Sequence, residues 1–507
     1  MASELVTVCY VLFLVAYLPR LVSDILHDKS RFDWIVRTTL MALMVASWFI
    51  GPTIDGLEYE DAYVHLAAAK FQLASAQSDP SSFYLEVCSA GTAANCVVSS
   101  TYGTHLIGFS TLLAWLLYAG LSAENLSNAV SHVAALLTVQ VVWSLLRGYS
   151  DILCSILAIS LLLTASEFYV LSGSSFAEPL YTFLFVCWIG AAWPLLSAES
   201  KLRSLNLLVV AFGGLSMIAV KKEGVLVVGL TLVWAVLQSV TLQRSSGRPW
   251  PSLAVAITCI AVIGTSVFFV GIGDAALRHS ADIGTFAFDL GYVSQLLPAF
   301  LGGAFQPRYF GFLWTIALVL LPIVVLRPER QTLLLLATVV GYIGLYSIHA
   351  RHAAFVRGEV VHPEEMLRYV YTLAPAVALL CGNMLMQTRT YIRQKWNHAG
   401  GNSNFIAPVA IAISAGLLLC FLAVDRRRVD FYNDEERARL SPLMAIGHEA
   451  NQSTVVVSEN SLALFARGPI DLYLMDASIA QQPIGQTLLA EHVAGGARVI
   501  YADGHQD

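Results

Sequence analysis

The sequence predicts an all-α polytopic membrane protein of about 12–13 apolar helices carrying a small C-terminal extracytoplasmic α/β domain. Three observations predict it. The 507 residues are 57% hydrophobic and only 13% charged, with mean hydropathy +0.66, whereas a soluble domain carries about 25% charged residues. Apolar runs of roughly 17–25 residues recur, the length that crosses a bilayer as a helix. A membrane barrel would alternate apolar and polar residues, and lipid admits no other backbone than helix or closed barrel. After residue 424 the composition changes to a charged lead-out, RRRVDFYNDEERARL, and short β-branched runs.

Candidate spans lie at 5–22, 35–53, 104–121, 129–146, 151–170, 176–196, 205–220, 224–241, 252–272, 309–326, 331–349, 369–387 and 405–424. The first has no basic segment before it and no small-residue cleavage site after it, so it is expected to be retained as a span. The long connections are 54–103, 273–308, 350–368 and the tail. Arg20, Lys29, Arg31 and Arg37 place the first turn in the cytoplasm. Lys201/Arg203, Arg244/Arg248, Arg327/Arg330 and Arg389/Arg393/Lys395 suit the same side. The four long connections then face outward. The parity closes only if one stretch between 104 and 170 fails to cross, and 104–121 is the expected one. The chain therefore divides into a transmembrane domain, 1–424, whose first outer loop is 54–103, and a soluble tail, 425–507. In the tail, STVVVSEN, IDLYLMD and GARVIYADG read as strands and SLALFARG as helix. No glycine-rich phosphate loop is present. The net charge of −6 argues against a nucleic-acid partner.

Of eight cysteines, Cys9, Cys154, Cys187, Cys259, Cys381 and Cys420 fall in apolar runs and read as small hydrophobes. Cys88 and Cys96 sit in a polar loop, EVCSAGTAANC. They are a disulfide candidate, which would require an oxidising, non-cytoplasmic loop.

Charge concentrates at a few span ends. The stretch IDGLEYEDAYVHLAAAKFQ, 54–72, holds Asp55, Glu58, Glu60 and Asp61 and then turns amphipathic. As a helix it puts Asp61, His65 and Ala68 on one face, while Ala62, Leu66, Ala69 and Phe71 let it lie flat on the membrane. Glu60 or Asp61 can serve as a cap that satisfies free N–H groups, or as an acid–base group, or as both. Glu178 in SGSSFAEPL precedes Pro179 at a span entrance. It reads either as a cap or as a group that shapes a pocket, holds a ligand hydroxyl or holds a metal. Lys221, Lys222 and Glu223 interrupt two apolar runs, which is costly unless they reach an interface or a ligand; a snorkelling turn is the alternative. Arg368 opens a late span, where its guanidinium can fork onto a phosphate or anchor the interface with Tyr369 and Tyr371. His352, His362 and Glu364 match no standard metal-ligand spacing. Arg308 and its aromatic neighbours in GGAFQPRYFG read as an interfacial belt.

Taken in order, these pieces resemble the GT-C class of integral membrane glycosyltransferases, in particular the arabinofuranosyltransferase, aminoarabinose transferase and protein mannosyltransferase branch. The class carries an acidic pair after an early span and a D-D-A-Y-I…R-Y-A-R-N-L helix, matched by Glu60, Asp61, Ala62, Tyr63 and Val64 with Lys70 and Phe71. TYGTHLIGFSTLLAW, which holds His105, is similar to its next apolar entry; SGSSFAEPL to its S-G-x-E-x-P-L-F; Lys221–Gly224 to its T-K-G turn; and Leu367–Pro375 to its G-R-F-x-x-P-x-L-P. The tail is similar to the outer α/β piece of some members. Two features depart: LAAAKF leaves Lys70 as the one basic residue where the class has several, and an extra span precedes the acidic loop.

The resemblance implies transfer of a sugar from a polyprenyl-phosphate donor to a glycan, lipid or protein acceptor, on the outer face of the cell membrane and with inversion. It implies Asp61 as general base, with Glu60 in reserve. It implies substrate-binding roles for Lys70, His105, Glu178, Lys221, Lys222, Glu223, Arg368 and Tyr369, with Lys221, Lys222 and Arg368 on the phosphate. Members differ in metal need, so a divalent ion is left open and no metal ligands are assigned. Two other classes compete. A transporter or flippase of a phosphate-bearing lipid would use the same basic mouth, yet charges are scarce inside the spans and no pair of interrupted helices repeats in two halves. A non-catalytic assembly partner would use the tail to bind.

Overall fold

The computed structural model describes residues 2–26, 31–50, 65–66, 69–70, 72, 108–121, 126–173, 176–196, 204–244, 249–269, 290–348, 366–395, 454–458, 473–476, 480–481 and 483–501. The expected span 405–424, the acidic residues Glu60 and Asp61, His105, Cys88 and Cys96 lie outside them.

The chain opens with α1 (Ala2–Leu26) and α2 (Arg31–Ile50). After the helical residues His65, Leu66, Ala69, Lys70 and Gln72 come α3 (Gly108–Tyr118), α4 (Leu126–Tyr149), α5 (Ile152–Leu163), α6 (Ser166–Ser172) and α7 (Glu178–Leu195). Then follow α8 (Ser204–Val220), α9 (Gly224–Arg244), α10 (Trp250–Phe269), α11 (Val293–Phe305), α12 (Pro307–Phe310), α13 (Leu313–Leu320), α14 (Pro322–Leu326), α15 (Arg330–Ile348) and α16 (Leu367–Lys395). Among the described residues, six helices are long and apolar enough to cross a membrane, or seven if α5 and α6 count as one broken span.

Helix α7 is apolar on every side and is buried along its whole length, as a core helix must be. It packs with α4, α8 and α16. Helices α9 and α10 form a hairpin whose outer faces expose Val233, Val236, Leu237, Ile257, Ile260 and Phe268. A continuous apolar surface of that kind suits lipid.

The structure departs from the sequence reading in three places. The expected span 151–170 breaks: α6 turns 62° away from α5. The break is held from outside, because Ser166 Oγ donates to the carbonyls of Arg308 at 2.5 Å and Tyr309 at 3.2 Å. Next to it Gly311 has φ +56° with no room for a side chain against Thr164. The loop expected over 273–308 contains α11, whose Pro298 and paired glycines hide an apolar helix. The span expected at 309–326 is split into three short pieces, with Pro322 opening the last. Helix α3 has 11 residues, about 17 Å at 1.5 Å per residue, short of a hydrocarbon core of about 30 Å.

Helix α8 contains a π turn, Val209–Gly213, whose Val210 carbonyl accepts from Trp188 Nε1 at 3.0 Å. In the tail, β1 (Thr454–Ser458), β2 (Tyr473–Asp476), α17 (Pro483–Ala494) and β3 (Arg498–Tyr501) form a parallel sheet of order β2-β1-β3, with Val455 opposite Tyr473 and Val499. The strands fall on the three runs expected from the sequence.

Candidate functional site

Helix starts and ends meet at one end of the bundle. Glu178 is the first residue of α7, Lys221 caps the end of α8, and Arg368 lies in the first turn of α16. Three motifs far apart in sequence therefore meet in space. Lys221 Nζ donates to Glu178 Oε1 at 2.9 Å, and Arg368 Nε stands 3.9 Å from the same oxygen. Glu178 and Lys221 are 5% and 9% exposed, so these charges are held in a desolvated setting where pairing is obligatory. Arg368 Nε also donates to the Tyr369 hydroxyl at 2.7 Å. The Lys221 ammonium and the Arg368 guanidinium each lie 5.2 Å from the Tyr369 ring centroid, and Arg368 lies 5.8 Å from that of Phe176. These are cation–π distances.

The Lys221–Gly224 turn is fixed from a second side. Tyr346 donates to the Glu223 carboxylate and Tyr342 to the Glu223 carbonyl, each at 3.4 Å. Tyr346 stacks at a tilt on Tyr369, 4.5 Å between centroids. Glu223 is thus bound to the tyrosines of α15, while the Lys222 side chain is half-buried beside it.

The described residues of the 54–103 stretch meet the same end through α3. The His65 ring meets the Phe109 ring edge-on at 5.2 Å, and Gln72 Nε2 donates to Ser110 Oγ at 3.4 Å. Next to Phe109, a Cβ added at Gly108 would sit 2.5 Å from the Ala219 carbonyl and 2.6 Å from the Val220 nitrogen. Only glycine lets α3 seat against the backbone that leads into Lys221. Lys70 is 2% exposed, and burial pushes its ammonium down to about 8. A helix lying flat on the membrane would keep His65 and Lys70 in the headgroups. Instead both are buried along with Leu66 and Ala69, so this segment is wedged among the helices.

Sequence reasoning singled out Glu178, Lys221, Glu223, Arg368 and Tyr369, and the structure brings them together. It overlooked Tyr342, Tyr346 and Phe176. The first two sit at i and i+4 near the end of an apolar run, a signal of one shared helix face. Among the described residues, no three His, Cys, Asp or Glu side chains are grouped to hold a metal ion.

No protein-family model and no curated protein matches the chain. In three dimensions it is similar to the crystal structure of ArnT from Cupriavidus metallidurans bound to undecaprenyl phosphate, with TM-score 0.56 and 14% identity over 93% of this chain and 90% of that one. The apo state of the same protein gives TM-score 0.53 and 16% identity over 92% and 89%. The archaeal oligosaccharyltransferase AglB from Archaeoglobus fulgidus, in complex with an inhibitory peptide and a dolichol-phosphate, gives TM-score 0.52 and 10% identity over 93% and 70%. At these identities the likeness shows the fold alone: a multi-span helical membrane architecture shared with ArnT and AglB.

Proposed function

We propose that the protein is a membrane glycosyltransferase that moves a sugar from a polyprenyl-phosphate donor to an acceptor hydroxyl at the extracytoplasmic edge of the bilayer. The observation that carries this reading is the convergence of Lys221 and Arg368 on one buried point at a helix-end cluster. Two fixed cations with low exposure are suited to the charge of a lipid phosphate, which grows as the sugar leaves. Structures of this fold have been solved with undecaprenyl phosphate and with a dolichol-phosphate, which supports a lipid of that chemistry here.

Asp61 is the base in this reading. It takes the proton of the acceptor hydroxyl as that oxygen attacks the anomeric carbon from the side opposite the phosphate, so the product is inverted. The sugar–phosphate bond breaks and polyprenyl phosphate leaves with its charge held by Lys221 and Arg368. Support for a base in this loop comes from its next described residues, since His65 packs on α3 and α3 abuts the backbone before Lys221. The acceptor is a glycan, lipid or protein hydroxyl, and the Lys/Arg bias of the turns sets the active side outward.

The test is transfer from a panel of radiolabelled polyprenyl-phosphate sugars by the purified protein in lipid nanodiscs. The reading expects labelled acceptor product from the wild type and little from Lys221→Ala and Arg368→Ala. Movement of intact donor across a proteoliposome membrane, with no sugar released, would favour the flippase instead.

A further inference from the structure

We infer that Glu178 is an internal anion that occupies the Lys221–Arg368 site between turnovers and is set aside when a lipid phosphate binds; this rests on the reading just given. Of the two readings the sequence leaves open for Glu178, a cap or a pocket-shaping group, its contacts favour the second. The cap position of α7 is Ala177, with no side-chain cap bond, and the Glu178 carboxylate is turned to Lys221 and Arg368 instead. Carboxylate and phosphate oxygens make the same demand on an ammonium and a guanidinium. An empty site without a carboxylate would hold two desolvated cations side by side, a costly arrangement.

When a phosphate arrives, two anions face the same two cations, and one must give way. Room in hydrogen-bonding terms exists one helical turn further in. The Tyr371 hydroxyl, one turn after Arg368 on α16, and the Thr182 hydroxyl, one turn after Glu178 on α7, are buried without a hydrogen-bond partner among the described residues. Buried hydroxyls of this kind call for an occupant, and a displaced carboxylate is one that they can bind. The consequence is kinetic. A site built only of cations would hold the polyprenyl phosphate left after transfer, whereas a resident carboxylate competes with it and speeds its release. Glu178 is in this sense a positioning residue that sets the lifetime of the product complex.

The experiment measures the dissociation constant of sugar-free polyprenyl phosphate for the full-length protein in nanodiscs, alongside kcat and KM for transfer. Glu178→Gln keeps the size and an acceptor for Lys221 but removes the competing charge. It is expected to bind the lipid phosphate at least about ten-fold tighter, the effect of removing a like charge about 12 Å away at an effective dielectric of about 20, and to show lower KM and lower kcat. A merely structural residue would give weaker binding. Lys221→Ala serves as the control for the site and is expected to bind about ten-fold more weakly. If Lys221→Ala binds as the wild type does, the phosphate site itself is misassigned. If Lys221→Ala weakens binding while a folded Glu178→Gln binds equally or more weakly than wild type, the site stands and the role of Glu178 is refuted. Should Glu178→Gln fail to fold, Glu178→Asp retracts the carboxylate from the cations; tighter binding supports the inference and weaker binding overturns it.

Discussion

The two ends of the bundle treat charge differently. At the end opposite the site, acids pair with bases across helices: Asp33 with Arg147 at 2.5 Å, and Asp151 with Arg389. Arg37 adds hydrogen bonds to Gln140 and Ser144. Asp33 is buried while Arg147, Asp151 and Arg389 are partly exposed, and the pairs tie α2 to α4 and α5 to α16. At the site end, two cations share a single carboxylate oxygen and are walled by Tyr369 and Phe176. Residues Arg368 and Arg389 lie about 32 Å apart along α16 at 1.5 Å per residue, a bilayer's thickness. The difference teaches how to read charge in an apolar fold: an ion pair between two helices is a latch, whereas two cations gathered on one carboxylate oxygen beside aromatic rings suit an anion.

Substitutions at the two ends should therefore fail in different ways. The largest effect is expected at Asp61. Asp61→Asn should lower kcat by about 10²–10⁴-fold, the range for loss of a general base, with polyprenyl-phosphate binding intact; a variant that turns over normally in the radiolabel assay removes Asp61 from the mechanism. Next comes the seat of α3. Gly108→Ala pushes a methyl into backbone at Ala219–Val220 that cannot swing aside, so Lys221 should shift and transfer should drop about ten-fold, each ten-fold being about 1.4 kcal/mol. Unchanged transfer by a protein that melts normally would separate α3 from the site.

At the opposite end, Arg147→Ala removes the Arg147 guanidinium from the buried Asp33 carboxylate. It should lower stability by about 2 kcal/mol, less than a fully buried pair would cost because Arg147 is partly exposed. Transfer per folded molecule should stay near wild type. Thermal unfolding in detergent read beside single-turnover transfer distinguishes the two, and a selective loss of transfer would break the contrast between the ends. The last prediction concerns the pH dependence set by Lys70. With its ammonium pushed down to about 8 by burial, the folded protein releases this proton before the unfolded chain does. Stability should then rise with pH from about 8 to about 10. Melting curves of wild type and Lys70→Met across that range should converge as pH rises, and parallel curves would refute the shift.

Much of the site was legible because charge is scarce in this chain. Lys221 and Lys222 between two apolar runs, and Arg368 at a span's start, stand out against a lipid-like background, and the cost of burying them points to a purpose. Helix ends were legible for the same reason. The bend between α5 and α6 was not, since Ser166 and Gly311 create it from sequence positions some 140 residues apart. The tyrosines of α15 were hidden within an ordinary apolar run; their meaning lies in the Glu223 turn that they reach. Gly108 looked like any small residue of a membrane helix until Ala219 was placed against it. Helix α11 was missed because Pro298 and two glycines mimic a loop.

The most direct measurement is the position of the phosphate in a structure determined with polyprenyl phosphate bound. The account predicts phosphate oxygens within about 3.2 Å, hydrogen-bond reach, of both Lys221 Nζ and the Arg368 guanidinium, with the Glu178 carboxylate turned away. A phosphate seated at the Asp33–Arg147 and Asp151–Arg389 end, or touching neither Lys221 nor Arg368, would contradict it.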